Sequence, residues 1–499
     1  MENVKWTAMN ESLIHNHLIS AKDISLVRLL HSFLVRNDAV VLDEGLRHCE
    51  ERSNLLSALK GMPNNGWFSR ISFLISFIFL SLSVNAQSLL TIDSAIALAL
   101  QNNYDIIIAK NDSAIAHKNN TIGNAGMLPN LSVNGGASYG LNNINQRFTN
   151  GTEINRSGVN STNFNASANL NWTLFDGLRM FFAKKRLSLQ ESFAVLQLKD
   201  RVQNTIAQII TAYYEIVRLQ QAVSAYKEAI ALSEERLKIA TTKFELGVSG
   251  KTDALQARID ANARKAELLK QQVLLENAKQ NLNVLLSRNE ETPFEVTNQV
   301  VFNENLSAQS LQQTNANYTI QAAMASVKIA QQQKRETQAL RSPVIIGNAA
   351  YNYSYAQSDA GFSLFSQNNG LGLGATLSMP IFNGFNINRQ VKVASLQVQT
   401  SNILYEQVKL QVAAGVKNSA RAFENAKIVL VLEEENIGFA KENVTIATER
   451  FKLSQSTSIE FREAQKSYED ALLRLVNARY ELKQAETELL RLNNKLIGE

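Results

Sequence analysis

One seven-residue junction occurs twice in this chain, and it restricts the possible folds more than any other feature. The first copy is Asn171-Trp172-Thr173-Leu174-Phe175-Asp176-Gly177, and the second is Ser378-Met379-Pro380-Ile381-Phe382-Asn383-Gly384. Each closes a run of apolar/polar alternation and opens a long helical stretch. Before the first junction, Phe164, Ala166, Ala168, Leu170, Trp172 and Leu174 alternate with Asn163, Asn165, Ser167, Asn169, Asn171 and Thr173. A period of two with one apolar and one polar face is a strand. From Gly177 to about Leu246 no residue breaks a helix, and Ala, Leu, Gln, Glu and Lys dominate. At ~1.5 Å per residue such a helix runs roughly 100 Å, far beyond a globular one.

The plan repeats. Residues 87–290 read as a first structural repeat. A helix over 89–123 carries Ile92, Ala95, Ile96, Ala99 and Leu100 on one face and breaks at Asn102-Asn103. Strands follow over 129–141 and 163–174 with a polar loop between them. A long helical hairpin over 178–288 turns at Gly247-Val248-Ser249-Gly250. A polar linker over 291–305 leads to the second repeat, 306–495. This holds a helix to about 339, strands over 343–356 and 371–381, and a hairpin over 385–492 turning at Ser454-Gln455-Ser456. Pro129 and Pro343 open the first strand of each pair, where a missing N–H does little harm. One constant offset aligns Phe175 with Phe382, Gly177 with Gly384, Ala240 with Ala447, Phe244 with Phe451 and Ala257 with Ala464. A gapless offset over that span is an internal duplication.

The last helix shows how the long helices pack. Phe461, Ala464, Tyr468, Ala471, Leu475, Ala478, Leu482, Ala485, Leu489 and Leu492 are spaced alternately three and four apart. That is a coiled-coil seam. The matching seam of the first repeat is interrupted by Arg264 and Gln271.

The N-terminal part differs. Arg70, the apolar run Ile71 to Val84, and Val84-Asn85-Ala86 compose a secretory signal peptide over 62–86. The run is short of the ~20 residues of a spanning helix. Residues 1–61, with four of the five His and the only Cys, Cys49, read as an upstream extension from a misassigned start, with Met62 the true one. Eight basic and eight acidic residues lie in 1–86, so the remainder keeps the whole-chain surplus of +5. That surplus is dispersed and points to no nucleic acid.

Four amphipathic strands cannot close a membrane barrel, since barrels need about eight or more, and an open sheet would leave unpaired backbone in lipid. The strands must therefore be pooled between chains. Eight strands give a filled interior and larger barrels a water channel. The Asn, Ser, Thr and Gly face argues for a wet lumen, hence three chains and twelve strands. The expected fold is an α+β membrane protein: a trimeric 12-stranded barrel continuous with a long coiled-coil helical barrel. The alternative is a secreted coiled-coil scaffold or adhesin, which leaves the four alternating strands unexplained. For an enzyme, the chain after the signal offers one His, His117, no Cys and no nucleotide-binding fingerprint. His117 reads as a solvated surface residue, and no cofactor is implied.

Over 88–495 the chain resembles the TolC-like outer-membrane efflux proteins. The resemblance is carried by the two junctions with Phe175, Gly177, Phe382 and Gly384, by Pro129 and Pro343, and by Leu98-Ala99-Leu100-Gln101-Asn102-Asn103. Phe244-Glu245-Leu246-Gly247 with Thr252-Asp253, and Asn477-Ala478-Arg479-Tyr480, add to it. It implies a homotrimer in outer-membrane lipid, reaching through the periplasm to a periplasmic adaptor and an inner-membrane pump of RND or ABC type. Drug efflux, metal efflux and type I secretion all fit. It further implies that Leu246-Gly247-Val248 and Lys452-Leu453-Ser454 are adaptor-docking tips. Glu460 and Glu463 fall at a periplasmic gate with Asp253. Some family members close this gate with Tyr and Arg where this chain has Phe451 and Ser456, and Arg462 is the candidate substitute.

Overall fold

At each junction the backbone passes from strand to helix through two successive left-handed residues. Gly177 and Leu178 have φ of 70° and 69°, and Gly384 and Phe385 have φ of 64° and 60°. Glycine adopts this freely, whereas Leu178 and Phe385 each cost about 1–2 kcal/mol. In the first junction Asp176 is buried, and its two carboxylate oxygens accept from the Met180 N–H at 3.2 and 3.0 Å. A Cβ at Gly177 would lie 2.3 Å from Ser342 Cβ and 2.9 Å from the Ala339 carbonyl oxygen. A Cβ at Gly384 would meet nothing nearer than 3.9 Å. The first junction is thus wedged against the second repeat of its own chain. The second projects, with Ile381, Phe382 and Phe385 exposed.

The computed structural model describes residues 88–303, 306, 317–360 and 363–496. The signal peptide and the upstream extension lie outside the described residues, as does nearly all of 304–316, where the second repeat was expected to begin as helix. In chain order the elements are β1 (Ser88–Leu90), α1 (Ile92–Asn102), α2 (Tyr104–Asn119), β2 (Asn130–Arg147), β3 (Glu153–Phe175), α3 (Arg179–Glu245) and α4 (Lys251–Leu285). There follow β4 (Phe294–Val296), α5 (Tyr318–Ala339), β5 (Val344–Ser358), β6 (Phe365–Ser378), α6 (Asn386–Lys452) and α7 (Ser458–Leu492). α3 and α6 are both 67 residues long, and α4 and α7 both 35. The two halves thus match in helix length.

β2, β3, β5 and β6 form one antiparallel sheet in that order. The hairpins pair Asn130 with Asn171 and Val344 with Ser378, and β3 pairs with β5, Ala166 opposite Tyr353. The registers keep the alternating residues together: Leu131, Leu170 and Ala349 lie in one row, Val133, Ala168 and Tyr351 in the next. The strands are longer than expected. The stretch 142–162, read as a loop from its Asn, Ser, Thr and Gly, is ladder on both sides of a turn at 148–152. The backbone ladder runs through it and polar side chains add to it, Asn142 donating to Ser161 at 2.9 Å and Arg147 pairing with Glu153, so it needs no continuous apolar face. β6 ends at Ser378, short of the expected 381, because Pro380 offers no donor to continue it.

α3 is the central helix. It packs on α2, α4, α5 and α7, while α6 packs on α5 and α7. Away from the sheet the helices therefore lie in the order α4-α3-α7-α6. α7 buries its whole expected seam, Ala485 partly, and a second face besides, with Gln465, Glu469, Val476 and Glu486 buried. Midway along α3, Tyr213 anchors a belt: its hydroxyl donates to the Leu90 carbonyl at 3.0 Å and accepts from the Thr297 N–H at 3.3 Å. Around it Ala95, Ile216, Leu282, Phe294 and Val296 form one core, and β1 pairs in parallel with β4. The expected linker over 291–305 thus includes a buried strand, too short to reveal its period in sequence. Asn103 makes the break between α1 and α2. Its side chain caps α2 by accepting from Ile106 N at 3.2 Å and donates to the Leu285 carbonyl at 2.8 Å. His117 is exposed but not idle: its Nδ1 lies 2.6 Å from Glu191, tying α2 to α3.

Candidate functional site

The far ends of the two long hairpins form a pair of matching tips. Two residues beyond the ends of α3 and α6 stand Gly247, φ 73°, and Ser454, φ 59°. In both, the chain closes the helix with a six-residue loop: Val248 N donates to the Lys243 carbonyl and Gln455 N to the Arg450 carbonyl, each at 2.8 Å. This is a left-handed C-terminal cap, which glycine favours and Ser454 adopts at some cost. Leu246, Gly247, Val248, Lys452, Leu453 and Ser454 are all exposed. α7 then starts with a reciprocal cap. Glu460 N donates to Thr457 Oγ1 at 3.2 Å, and Thr457 N donates to the Glu460 carboxylate at 3.3 Å. Glu460 therefore has a structural duty as well as an exposed charge. Glu463 is exposed one turn on, so the two carboxylates share a face.

The tips are joined by groups that the sequence did not single out. Lys243 on α3 places its Nζ 4.1 Å above the Phe451 ring and donates to the Phe451 carbonyl. Desolvation depresses the Lys243 pKa, opposed by the nearby Asp253 charge. Phe451 itself is buried, its ring 5.2 Å from that of Phe461, in a core with Val444 and Tyr468. Lys452 bridges to Glu235 on α3 at 2.9 Å and to Glu449 at 3.0 Å. Asp253 is half-buried in the first turn of α4. Among the described residues no ion pair joins Arg462 to Asp253 within one copy. The charge of Arg462 acts instead on Asp260. Phe451 thus joins α6 to α3 and α7 by packing and by receiving a cation.

Above the tips, polar side chains knit α3, α4 and α7. The Arg236 guanidinium is 2% exposed and pairs with Asp260 of α4. It also donates to Gln465 of α7 at 3.4 Å, and Gln465 donates to Ser233 at 2.6 Å. Burial raises the Asp260 pKa, but the Arg236 and Gln256 hydrogen bonds and the Arg236 and Arg462 charges outweigh it, and the net shift is downward. Arg264, read as an interruption of the α4 seam, reaches across to Glu469 on α7 at 2.7 Å. Burial still holds the Glu469 pKa above its ordinary value against the pull of Arg264. Tyr468 donates to Glu228 at 2.7 Å, and burial followed by that bond drives its pKa up. Apart from Gln256, four residues before Asp260, each of these partners lies on another helix, out of reach of a spacing rule.

The geometry on view is one sheet with an apolar face, joined to two equal helical hairpins whose tips lie together. A family model described as outer membrane efflux protein matches residues 95–288 and 309–495. The chain belongs to the outer membrane efflux protein family. Among relatives of this efflux protein, BepC of Brucella suis, an outer membrane efflux protein, is 21% identical over 419 residues, covering 82% of this chain and 86% of BepC. The outer membrane protein TolC of Escherichia coli is 25% identical over 404 residues, covering 74% of this chain and 78% of TolC. The crystal structure of the outer membrane protein VceC from Vibrio cholerae superposes with a TM-score of 0.70 at 18% identity, covering 81% of this chain and 96% of VceC. The efflux protein resides in the outer membrane and extends into the periplasm. Among its described residues no helix is long and apolar enough to cross a membrane.

Proposed function

We propose that three copies of this efflux protein pool their sheets into a twelve-stranded barrel, continued into the periplasm by their packed helices. The assembly is a passive exit duct of a tripartite efflux or type I secretion system. It takes substrates from a periplasmic adaptor and an inner-membrane pump, of RND or ABC type, and performs no catalysis. The observation that carries this reading is the sheet of four strands, with one apolar face and two open edges. Lipid does not tolerate free backbone edges, and four strands are too few to close on themselves. The purified protein should run as a trimer in detergent and conduct ions in planar bilayers. A monomer without conductance would overturn the proposal.

The helix tips are the periplasmic mouth in this reading. Glu460 and Glu463 from three copies would form two stacked rings of negative charge, favouring cations. Asp253, in the first turn of α4, and Arg462, between the two glutamates in sequence, are the other gate residues of this reading. Leu246-Gly247-Val248 and Lys452-Leu453-Ser454 supply exposed surface for the adaptor. Photo-crosslinkers at Leu246 and Leu453 should capture the adaptor in cells, and crosslinkers at buried Ala257 should not.

A further inference from the structure

Charge borders the four-stranded sheet unevenly. Residues 130–146, 157–175, 344–358 and 365–378, which make up nearly all of it, include no charged side chain. At the end away from the helices Arg147, Glu153, Arg156 and Asp359 balance one another; Arg147 pairs with Glu153, and Asp359 accepts from Asn160 at 2.8 Å. At the helical end the balance is lost. Four connections leave the sheet there, and on each the first exposed charge is a cation: Lys118 before β2, Arg179 after β3, Arg341 before β5 and Arg389 after β6. Lys184, Lys185 and Arg186 follow Arg179, and Lys392 follows Arg389. The acids nearby are already engaged. Asp176 is buried and accepts from the Met180 N–H, Glu191 is bonded to His117 and Asn120, and Glu336 to Arg186. α6 carries no acid before Glu406. Among the described residues no ion pair engages Lys118, Lys185, Arg389 or Lys392, all of them exposed.

Two more features bear on what this collar of cations meets. α3 and α6 have no acid in their first turns, whereas α1, α2, α4 and α7 have Asp93, Asp105, Asp253 and Glu460 there. A helix dipole opposes cations at its N-terminus, so Arg179 and Arg389 add to a positive field that the chain does not neutralise. Beside them Leu178, Phe181, Phe382 and Phe385 stand exposed. Exposed rings interleaved with long basic side chains compose a membrane–water boundary, where the rings sit among headgroups and the cations reach out to water. At ~1.5 Å per residue, Lys185 and Lys392 lie roughly 9 Å below the starts of their helices. The collar is thus about as deep as one Debye length, ~8 Å in physiological salt.

We propose that this collar recognises anionic phospholipid headgroups, of the phosphatidylglycerol class, in the membrane leaflet on the helical side of the sheet. This rests on the barrel reading above and adds to it which lipid the boundary selects. The Lys and Arg groups donate to phosphodiester oxygens, and a net negative headgroup leaves their field satisfied. A zwitterionic headgroup carries its own cation and does so less. One cation at an anionic surface is worth about a fivefold preference.

Trp172, exposed near the helical end of β3, supplies the probe. In the full chain, Trp6→Phe with Trp67→Phe leaves it as the one tryptophan. This protein is reconstituted in phosphatidylcholine vesicles holding equal fractions of either brominated phosphatidylglycerol or brominated phosphatidylcholine, and quenching of Trp172 gives the relative association of the two lipids. Phosphatidylglycerol should be preferred about fivefold or more at low salt, and the preference should shrink in ~1 M salt, where the Debye length is ~3 Å. Lys185→Gln with Arg389→Gln and Lys392→Gln should bring it towards one. The charge-preserving set Lys185→Arg, Arg389→Lys and Lys392→Arg should keep it. So should Lys238→Gln with Lys441→Gln and Lys466→Gln, which removes three exposed cations farther down the helices. Equal quenching by the two lipids before any collar substitution would overturn the proposal and leave the barrel standing, and this arm needs no variant to fold. A preference that the Gln set left intact would overturn it too. Absence of quenching by either lipid would put Trp172 outside the bilayer and remove the barrel reading itself.

Discussion

Truncating Asp260 to Ala should harm the helical hairpins more than replacing its partner Arg236 with Met. In the folded chain Arg236 is 2% exposed, and its guanidinium leans on Asp260 and, at 3.4 Å, on Gln465. Removing Asp260 strands a buried cation, which in general costs ~3–5 kcal/mol. The Asp260 side chain is 25% exposed and Gln465 stays in place, so screening and residual bonding reduce this to roughly 2–3 kcal/mol. Arg236→Met removes the cation and conserves most of the volume, at a cost below about 1.5 kcal/mol. It leaves Asp260 able to reach water. Adding Asp260→Ala to Arg236→Met should then cost almost nothing more. Guanidinium unfolding followed by helical circular dichroism, at one protein concentration and one detergent, gives the four midpoints of the cycle. If the double variant were as fragile as Asp260→Ala alone, the stranded-charge account would be wrong. The pH dependence follows the same pair. The folded pKa of Asp260 is depressed below its ordinary 3.8, so its stabilisation is fully present above that value and fades as pH falls through the folded pKa. The gap between wild type and Asp260→Ala should be flat near neutrality and close only in strong acid.

Three further outcomes are expected. Gly177→Ala should abolish correct folding, because its Cβ would strike both Ser342 and the Ala339 carbonyl; Gly384→Ala, facing only an unfavourable φ within its own copy, should cost about 1–2 kcal/mol, and equal yields of folded protein would refute the distinction. Glu460→Gln with Glu463→Gln should reduce cation selectivity in bilayer recordings while keeping the α7 cap, whereas Glu460→Ala should also cost about 1 kcal/mol of cap; unchanged selectivity in the Gln pair would take both residues out of the mouth. Lys243→Met should loosen the tips by removing a cation–π contact worth about 0.5–2 kcal/mol, and faster proteolysis at 246–250 would report it; an unchanged cleavage rate would mean that Lys452 and Glu235 suffice.

Periodicity carries only what repeats. The α7 seam was legible because Phe461 to Leu492 recurs at one spacing. Its second buried face was not, because Gln465, Glu469 and Glu486 look like surface residues until Ser233, Arg264 and Lys483 stand beside them. Arg264 was read as a flaw in the first seam for the same reason. The polar ends of β2 and β3 were misread because side-chain polarity says nothing of a ladder held by backbone. Phe451 carries no hydroxyl, yet its packing on Phe461 beneath Lys243, a contact between distant residues, ties the tip together.

Local rules decided the strands, the two junctions, the long helices and the duplication. Each of these is written in residues that are neighbours along the chain: alternation, Gly at a positive φ, an absence of helix breakers. Tertiary structure alone decided that α3 sits at the centre, that β1 and β4 meet at its midpoint, and that a buried Arg236 fastens three helices. Those depend on side chains from 24 to 229 residues apart, whose charges and shapes acquire meaning only once the backbone has brought them within reach.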